Sequence, residues 1–458
     1  SQCLYPNYHG GWDPADTTAT ANGYYTRQDF IDLLQYAASR HITVIPEIES
    51  PGHARAAIVA MKARYNRLKD SDPEGAKEYL LSEKADTSKY VSAQAYTDNI
   101  MNVSLPSVYR FMEKVSDEII AMYREAGVPL AAIHIGGDEV PHGSWEGSPS
   151  CQRFMKEQGM THPHQLAEYF LDNVSAMLAG KGVKVSGWQE VALNHSSELN
   201  ARIAPRFEGV YCWSTIGSSD VVPYTVANEG YGVILCNVNN FYLDLAYTPH
   251  KDEPGLNWGG YVDQFASYNM LPYNIYCSAR TDMAGNPKNL KKAHQGKVAL
   301  QPQARPRIKG IQAQLFAETL GSFEQAQYYI FPKIFGLVER GWNATPDWSP
   351  TPTDDKEALY EEARAIYNAK IAAVEMPRLA HEGVNFRIPQ PGVQIVDGKL
   401  YANSPIPQAE IRYTTDGSEP TAESPRWEEP LDCQAQVVKA RLFYLGKESL
   451  TSTFVNND

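Results

Sequence analysis

Two adjacent carboxylates, Asp138 and Glu139, close the segment IHIGGDEV (Ile133–Val140), where an apolar run passes through two glycines into acids. Neighbouring side chains on a strand point to opposite faces, so an acid pair there ordinarily marks a solvated surface. At the last residue of a strand that alternation breaks down, and glycines remove bulk and admit a ligand or another backbone. Two carboxyl groups, one held protonated by its surroundings and one ionised, can cleave a glycosidic bond. A metal centre is the rival chemistry. His134, Asp138, Glu139 and His142 can be drawn as a ligand set, but no second group of histidines and acids at suitable spacing is evident in the sequence to support a hydrolytic metal site.

The elements that must carry these acids can be read from periodicity. Thr26-x-x-Asp29 is a capping pattern opening a helix with Phe30, Leu33, Leu34 and Ala37 on one face, followed by the β-branched run HITVIPEIE from His41. A helix with Val108, Phe111, Val115 and Ile119 stops at Gly127 before AAIHIGGDE, and one with Leu166, Phe170, Val174 and Leu178 stops near Gly182 before VKVSGWQE. Shorter runs follow at GVYCWS (from Gly209), YGVILCNVN (from Tyr231) and IKGIQAQLFAE (from Ile308). Strands that alternate with amphipathic helices and end in functional side chains predict a (β/α)8 TIM barrel, with a doubly wound open sheet as the alternative. Only six barrel-type strands can be counted where eight are required. The expectation is therefore a barrel over residues 1–383 whose first two strands are absent from this chain, and a natural protein longer at its N-terminus.

A helix signalled by Asp354-x-x-Glu357, with Leu359, Ala363 and Ile366 on its buried face, should close the barrel. Composition then shifts. From residue 384 to 458 the chain is punctuated by Pro and Gly and rich in β-formers, with TTDGSEP as a turn, which predicts a small all-β sandwich in a supporting role.

Lys and Arg number 41 against 54 Asp and Glu, and the net charge of -13 repels phosphate backbones, so nucleic acid is excluded as a partner class. No run approaches the roughly 18 apolar residues of a membrane span, and the opening residues lack the basic and apolar regions of an export signal. The six cysteines include no CxxC pair, and Cys212 and Cys236 sit in apolar runs as buried free thiols do. Many of the 28 Tyr and eight Trp fall in Gly/Asn/Asp-rich stretches such as Asn239 to Asp263, where core packing is not the obvious reason and stacking on sugar rings would be one.

HIGGDEV resembles the active-site signature of the β-N-acetylhexosaminidases of glycoside hydrolase family 20. Further similar segments follow in family order: GYYTRQDF (from Gly23), VIPEIESPGHARAA (from Val44), GWQE (from Gly187), YLD (from Tyr242), WGGYV (from Trp258), LFAET (from Leu315) and ERGW (from Glu339). IRYTTDGSEPT resembles the small C-terminal β domain of bacterial members.

The resemblance implies substrate-assisted, retaining removal of terminal β-linked N-acetylhexosamine from glycans, with no cofactor and no metal. It assigns Glu139 as general acid and base, Asp138 and Tyr242 to the substrate acetamido group, and His53 to tuning Glu139. Trp188, Trp213 and Trp258 would wall the pocket, and Asp244 and Glu318 would bind substrate. Phe316 stands where the family usually has Trp, and Glu49 where it usually has Asp. The upstream strands of the family carry a sugar-gripping arginine and an aspartate that completes the His–Glu relay. The same resemblance implies a periplasmic, secreted or cell-surface bacterial protein. A non-catalytic glycan-binding protein on the same barrel is the alternative, although such a pocket needs no proton donor beside an acetamido-orienting carboxylate.

Overall fold

The computed structural model describes residues 24–456, so Cys3 lies outside the described residues. Six strands form one parallel sheet: β1 (Glu47–Ser50), β2 (Ala132–Gly136), β3 (Lys184–Trp188), β4 (Phe207–Cys212), β5 (Val233–Leu235) and β6 (Ile308–Ile311). They neighbour one another strictly in chain order. A doubly wound sheet reverses its order at a switch point, whereas a barrel does not, so the doubly wound alternative fails. Among the described strands β1 pairs only with β2 and β6 only with β5, which leaves an open arc of the barrel. Ile42 and Ile45 ahead of β1, and Trp342 beyond β6, remain exposed.

Of the helices that pack on the arc, the first follows its capping signal. Thr26 and Asp29 form a reciprocal capping box on Arg27–Ser39, which buries Ile31, Leu34 and Ala37; Leu33 falls outside that stripe and is exposed. Pro106–Ala126 and His164–Gly180 bury Val108, Met112 and Ile119, and Leu166, Phe170 and Val174, against the sheet. Gly127 ends the first of these in the left-handed region, where a side chain would be strained. Burying two or three large aliphatic side chains per helix contributes roughly 1.5–3 kcal/mol each.

Three expectations need correction. β1 is only four residues long, and His41–Pro46 before it is irregular. The closing helix, Glu357–Lys370, buries Tyr360 and Tyr367 and leaves Leu359 and Ile366 exposed. Its buried side is aromatic because Tyr367 stacks on Tyr268 at 4.3 Å and Tyr360 packs on Trp348 at 5.3 Å. Within Asn239–Asp263, Leu243, Leu245, Ala246 and Tyr247 are core residues, so only part of that aromatic stretch faces the cleft.

Beyond the helices, β7 (Gly392–Val396), β8 (Lys399–Asn403) and β10 (Leu431–Asp432) form one antiparallel sheet. β9 (Glu410–Thr414), β11 (Val437–Tyr444), β12 (Lys447–Glu448) and β13 (Ser452–Val455) form a second. Burial alternates along β11, and its inward residues Ala440 and Leu442 join Tyr360, Tyr367 and Met376 in one core. TTDGSEP is a turn, held by Asp416 accepting from the Ser418 N–H, with Gly417 at φ +84°. Cys151, Cys212, Cys236, Cys277 and Cys433 are free and buried.

Candidate active site

The acids sit where β2 ends. Gly136 and Gly137 have φ of +72° and +97°, and Glu139 itself is at φ +48°, a conformation costly for a residue with a side chain. The backbone thus leaves strand geometry before Asp138, and both carboxylates turn into one cleft. A side chain at either glycine would be strained by the positive φ and crowded by its neighbours. A Cβ at Gly136 would overlap the Glu49 carboxylate, and one at Gly137 would lie 2.4 Å from Val191 Cγ1.

The cleft, of about 940 Å³, is lined by all ten residues assigned from sequence: His53, Asp138, Glu139, Trp188, Trp213, Tyr242, Asp244, Trp258, Phe316 and Glu318. Glu49 lines it as well. His53 Nε2 lies 3.2 Å from Glu139 Oε2 and 3.5 Å from Asp138 Oδ2, so one ring nitrogen serves both acids. His53 does not cap the helix Arg55–Leu68, whose N-cap residue is Ala54 and which has no side-chain cap. Gln94 Nε2 donates to Glu139 at 3.3 Å, a contact from a loop that carries no recognisable sequence signal.

Aromatic rings form the opposite wall. Tyr242 meets Trp258 edge-on at 5.6 Å and Phe316 at 5.4 Å, Trp213 meets Trp258 at 6.1 Å, and Trp188 meets Phe316 at 6.2 Å. Phe316 keeps the apolar surface of the wall, and its backbone N–H donates to Asp244 at 3.2 Å. The two deep indoles are each pinned by an acid: Trp188 Nε1 donates to Glu49 at 3.2 Å and Trp213 Nε1 to Glu190 at 3.3 Å. Lys333, fully buried, donates to the carbonyls of Leu243 and Leu245 at 2.7 and 2.6 Å, fixing the backbone on both sides of Asp244.

His134 and His142 do not join the acids. His134 Nδ1 faces Glu47 at 3.1 Å and its ring packs between Trp188 and Tyr211, so the drawn ligand set is broken up in space. The His/acid groups close enough to share an ion are His53–Asp138–Glu139 and His164–Glu168–His195 among the described residues. The second of these joins residues 27 positions apart and has no local signature in the sequence.

Burial first, and the crowding of charges second, set the protonation of the site. Burial, then the Asp138 charge, pushes Glu49 up to about 10, and burial, then Asp138, pushes Glu190 up to about 7. Burial also lifts Asp244 to about 6 and raises Glu318. The hydrogen bond from His53 holds Glu139 below the usual carboxylate range. Burial disfavours the His53 imidazolium, but its hydrogen bonds to Asp138 and Glu139 and the charge of Asp138 outweigh that and raise it to about 10.

A pH dependence of stability follows. Folded His53 holds its proton from its ordinary 6.5 up to about 10, and folded Glu49 holds its own from 4.5 up to about 10. The folded state binds more protons across that window, so stability is greatest on its acid side and falls as pH climbs through it. Melting temperature is expected to drop between about pH 7 and 9, and Glu49→Gln to flatten the drop. A flat or rising profile in the wild type would contradict these protonation states.

An arc of a parallel (β/α) barrel with its polar residues gathered at the C-terminal strand ends defines a barrel protein of the enzyme type. Residues 6–345 match glycosyl hydrolase family 20, catalytic domain, and residues 375–449 match the chitobiase/beta-hexosaminidase C-terminal domain; the chain belongs to family 20. It is 31% identical over 463 residues to the N,N'-diacetylchitobiase of Vibrio harveyi and 29% identical over 444 residues to the beta-hexosaminidase of Vibrio vulnificus. Each alignment covers 91% of this chain and 50% of the relative, so the chain spans about half the length of these curated relatives. The solved GH20 exo beta-N-acetylglucosaminidase from Vibrio harveyi, in complex with N-acetylglucosamine, superposes with a TM-score of 0.58 at 28% identity, covering 80% of this chain and 46% of that one.

Proposed function

We propose that the protein is an exo-acting, retaining glycoside hydrolase that removes terminal β-linked N-acetylglucosamine or N-acetylgalactosamine from glycans by substrate-assisted catalysis. The observation that carries this is Asp138. Its Oδ2 is bound to His53, while its buried Oδ1, in the cleft wall beside Glu139, has no hydrogen-bond partner among the described residues. A buried acceptor left open costs about 1–3 kcal/mol until a donor reaches it. The N–H of a 2-acetamido group is such a donor.

In this reading the acetamido oxygen attacks the anomeric carbon, the glycosidic C–O bond breaks, and Glu139 protonates the departing oxygen. Asp138 accepts from the acetamido N–H and stabilises the positive charge of the oxazolinium ion, while the Tyr242 hydroxyl addresses the acetamido oxygen. Glu139 then takes a proton from water as it attacks the anomeric carbon, which restores the acetamide and retains configuration. The unliganded site holds Glu139 ionised beside a protonated His53, so that pair stores the proton Glu139 delivers. Trp188, Trp213, Trp258 and Phe316 enclose the acetamido methyl and the sugar face; Asp244 and Glu318 take hydroxyls. A periplasmic, secreted or cell-surface site of action belongs to the same proposal.

The names of the relatives support the sugar assignment, and the test is direct. An aryl β-N-acetylglucosaminide should release its phenol while the matching β-glucoside, lacking the attacking amide, should not. Equal turnover of both would sink the substrate-assisted mechanism, and binding without turnover would leave a glycan-binding protein.

A further inference from the structure

His164, Glu168 and His195 stand outside the cleft, and one ligand atom from each lies within 4.8 Å of the others. His164 and Glu168 are one helical turn apart at the start of His164–Gly180, so they share a face. His195 comes from the segment after the 3₁₀ turn Gln189–Ala192, which follows β3. Its Nδ1 is 3.4 Å from Glu168 Oε1, and the two imidazoles stack at 5.5 Å.

The outer ring nitrogens are occupied in the same way. His195 Nε2 faces the Val191 carbonyl and His164 Nε2 faces the Asn194 carbonyl, each at 3.2 Å. A metal-bound histidine commonly donates its other ring N–H to a backbone carbonyl, which fixes the tautomer and aims the remaining lone pair at the ion. The alternative without an ion is awkward. A neutral His195 that donates to Val191 directs its Nδ1 lone pair at the Glu168 carboxylate, acceptor against acceptor. The His195 side chain is 3% exposed, so water does not reach between the two groups from its side. A cation between Nδ1 and Oε1 removes that conflict, and Glu168, 22% exposed, leaves a path from solvent.

We propose that His164, Glu168 and His195 bind a divalent transition-metal ion of the zinc class, with three protein ligands and water in the remaining position. The ion would tie the start of a barrel helix to the turn that supports the cleft. Val191, whose carbonyl holds His195, packs behind Gly137, and Gln189 in the same turn accepts the backbone N–H groups of Trp213 and Ser214 at 3.1 and 3.0 Å. Its role is structural, independent of the proposed hydrolysis.

The experiment uses untagged protein stripped by chelator and titrated with ZnCl2 by calorimetry, and with CoCl2 by visible absorption. The wild type should bind one tight equivalent, and its melting temperature should rise with zinc. Glu168→Gln and His164→Gln, both at half-buried positions on a helix surface, should each weaken zinc binding by more than about tenfold while keeping the wild-type circular dichroism. Glu139→Gln, in the other His/carboxylate group, should keep the tight equivalent. No zinc binding by the wild type, unchanged binding in both helix variants, or its loss in Glu139→Gln would each overturn the assignment.

Discussion

Glu139→Gln is expected to lower kcat/KM on an aryl β-N-acetylglucosaminide by roughly 10²- to 10⁴-fold. The amide keeps the shape of the side chain and can still meet His53 and Gln94, so the fold and the affinity for N-acetylglucosamine should survive. What is lost is a proton that can be given and taken back. The two halves of that task can be separated by the leaving group. A strongly acidic phenol departs without protonation, so in the variant the first step should recover with such a substrate. Hydrolysis of the oxazolinium ion still lacks its base and should become limiting. Equal losses for poor and good leaving groups, or no loss at all, would remove Glu139 from the proposed role.

The second large effect concerns stability. Arg387, in the segment entering the β domain, and Glu253, in the loop after the Tyr242–Asp244 segment, form a buried bidentate pair with side chains 3% and 0% exposed. Glu253 also accepts from Tyr328 at 2.7 Å, and the Arg387 guanidinium lies 4.5 Å from the Tyr247 ring. Arg387→Met should cost about 3–5 kcal/mol, because it strands a carboxylate away from water rather than because the intact pair is itself so stabilising. The double variant Arg387→Met/Glu253→Gln should recover much of the loss, since glutamine can still accept from Tyr328. Urea unfolding of the four proteins measures both terms; additive losses in the double variant would show that the buried charge is not the cause.

How much of this was legible before the structure depends on whether the information was local. All six strands are legible, because a short apolar or β-branched run ending in polar residues is a local signal, while the residues that line the cleft are named through the resemblance of their motifs to the family rather than from spacing. The break in alternation at Asp138–Glu139 was readable from the two glycines alone. The closing helix offers two stripes in sequence, Leu359/Ile366 and Tyr360/Tyr367, and only the rings waiting at Tyr268 and Trp348 decide between them. Lys333 could not be recognised, since a lysine normally marks a solvated face and its two carbonyl acceptors lie about 90 residues away in sequence. His195 meets Glu168 across 27 residues of helix, strand and turn, which no spacing rule spans.

One methyl group links the turn after β3 to the acid pair. A side chain at Gly137 or Gly187 would meet Val191 Cγ1 at 2.4 or 2.6 Å, so these three positions share a single volume. They cannot drift independently over evolutionary time. A gain of bulk at residue 187 would need residue 191 trimmed first and the Gly136 carbonyl, 3.0 Å from the added Cβ, moved aside.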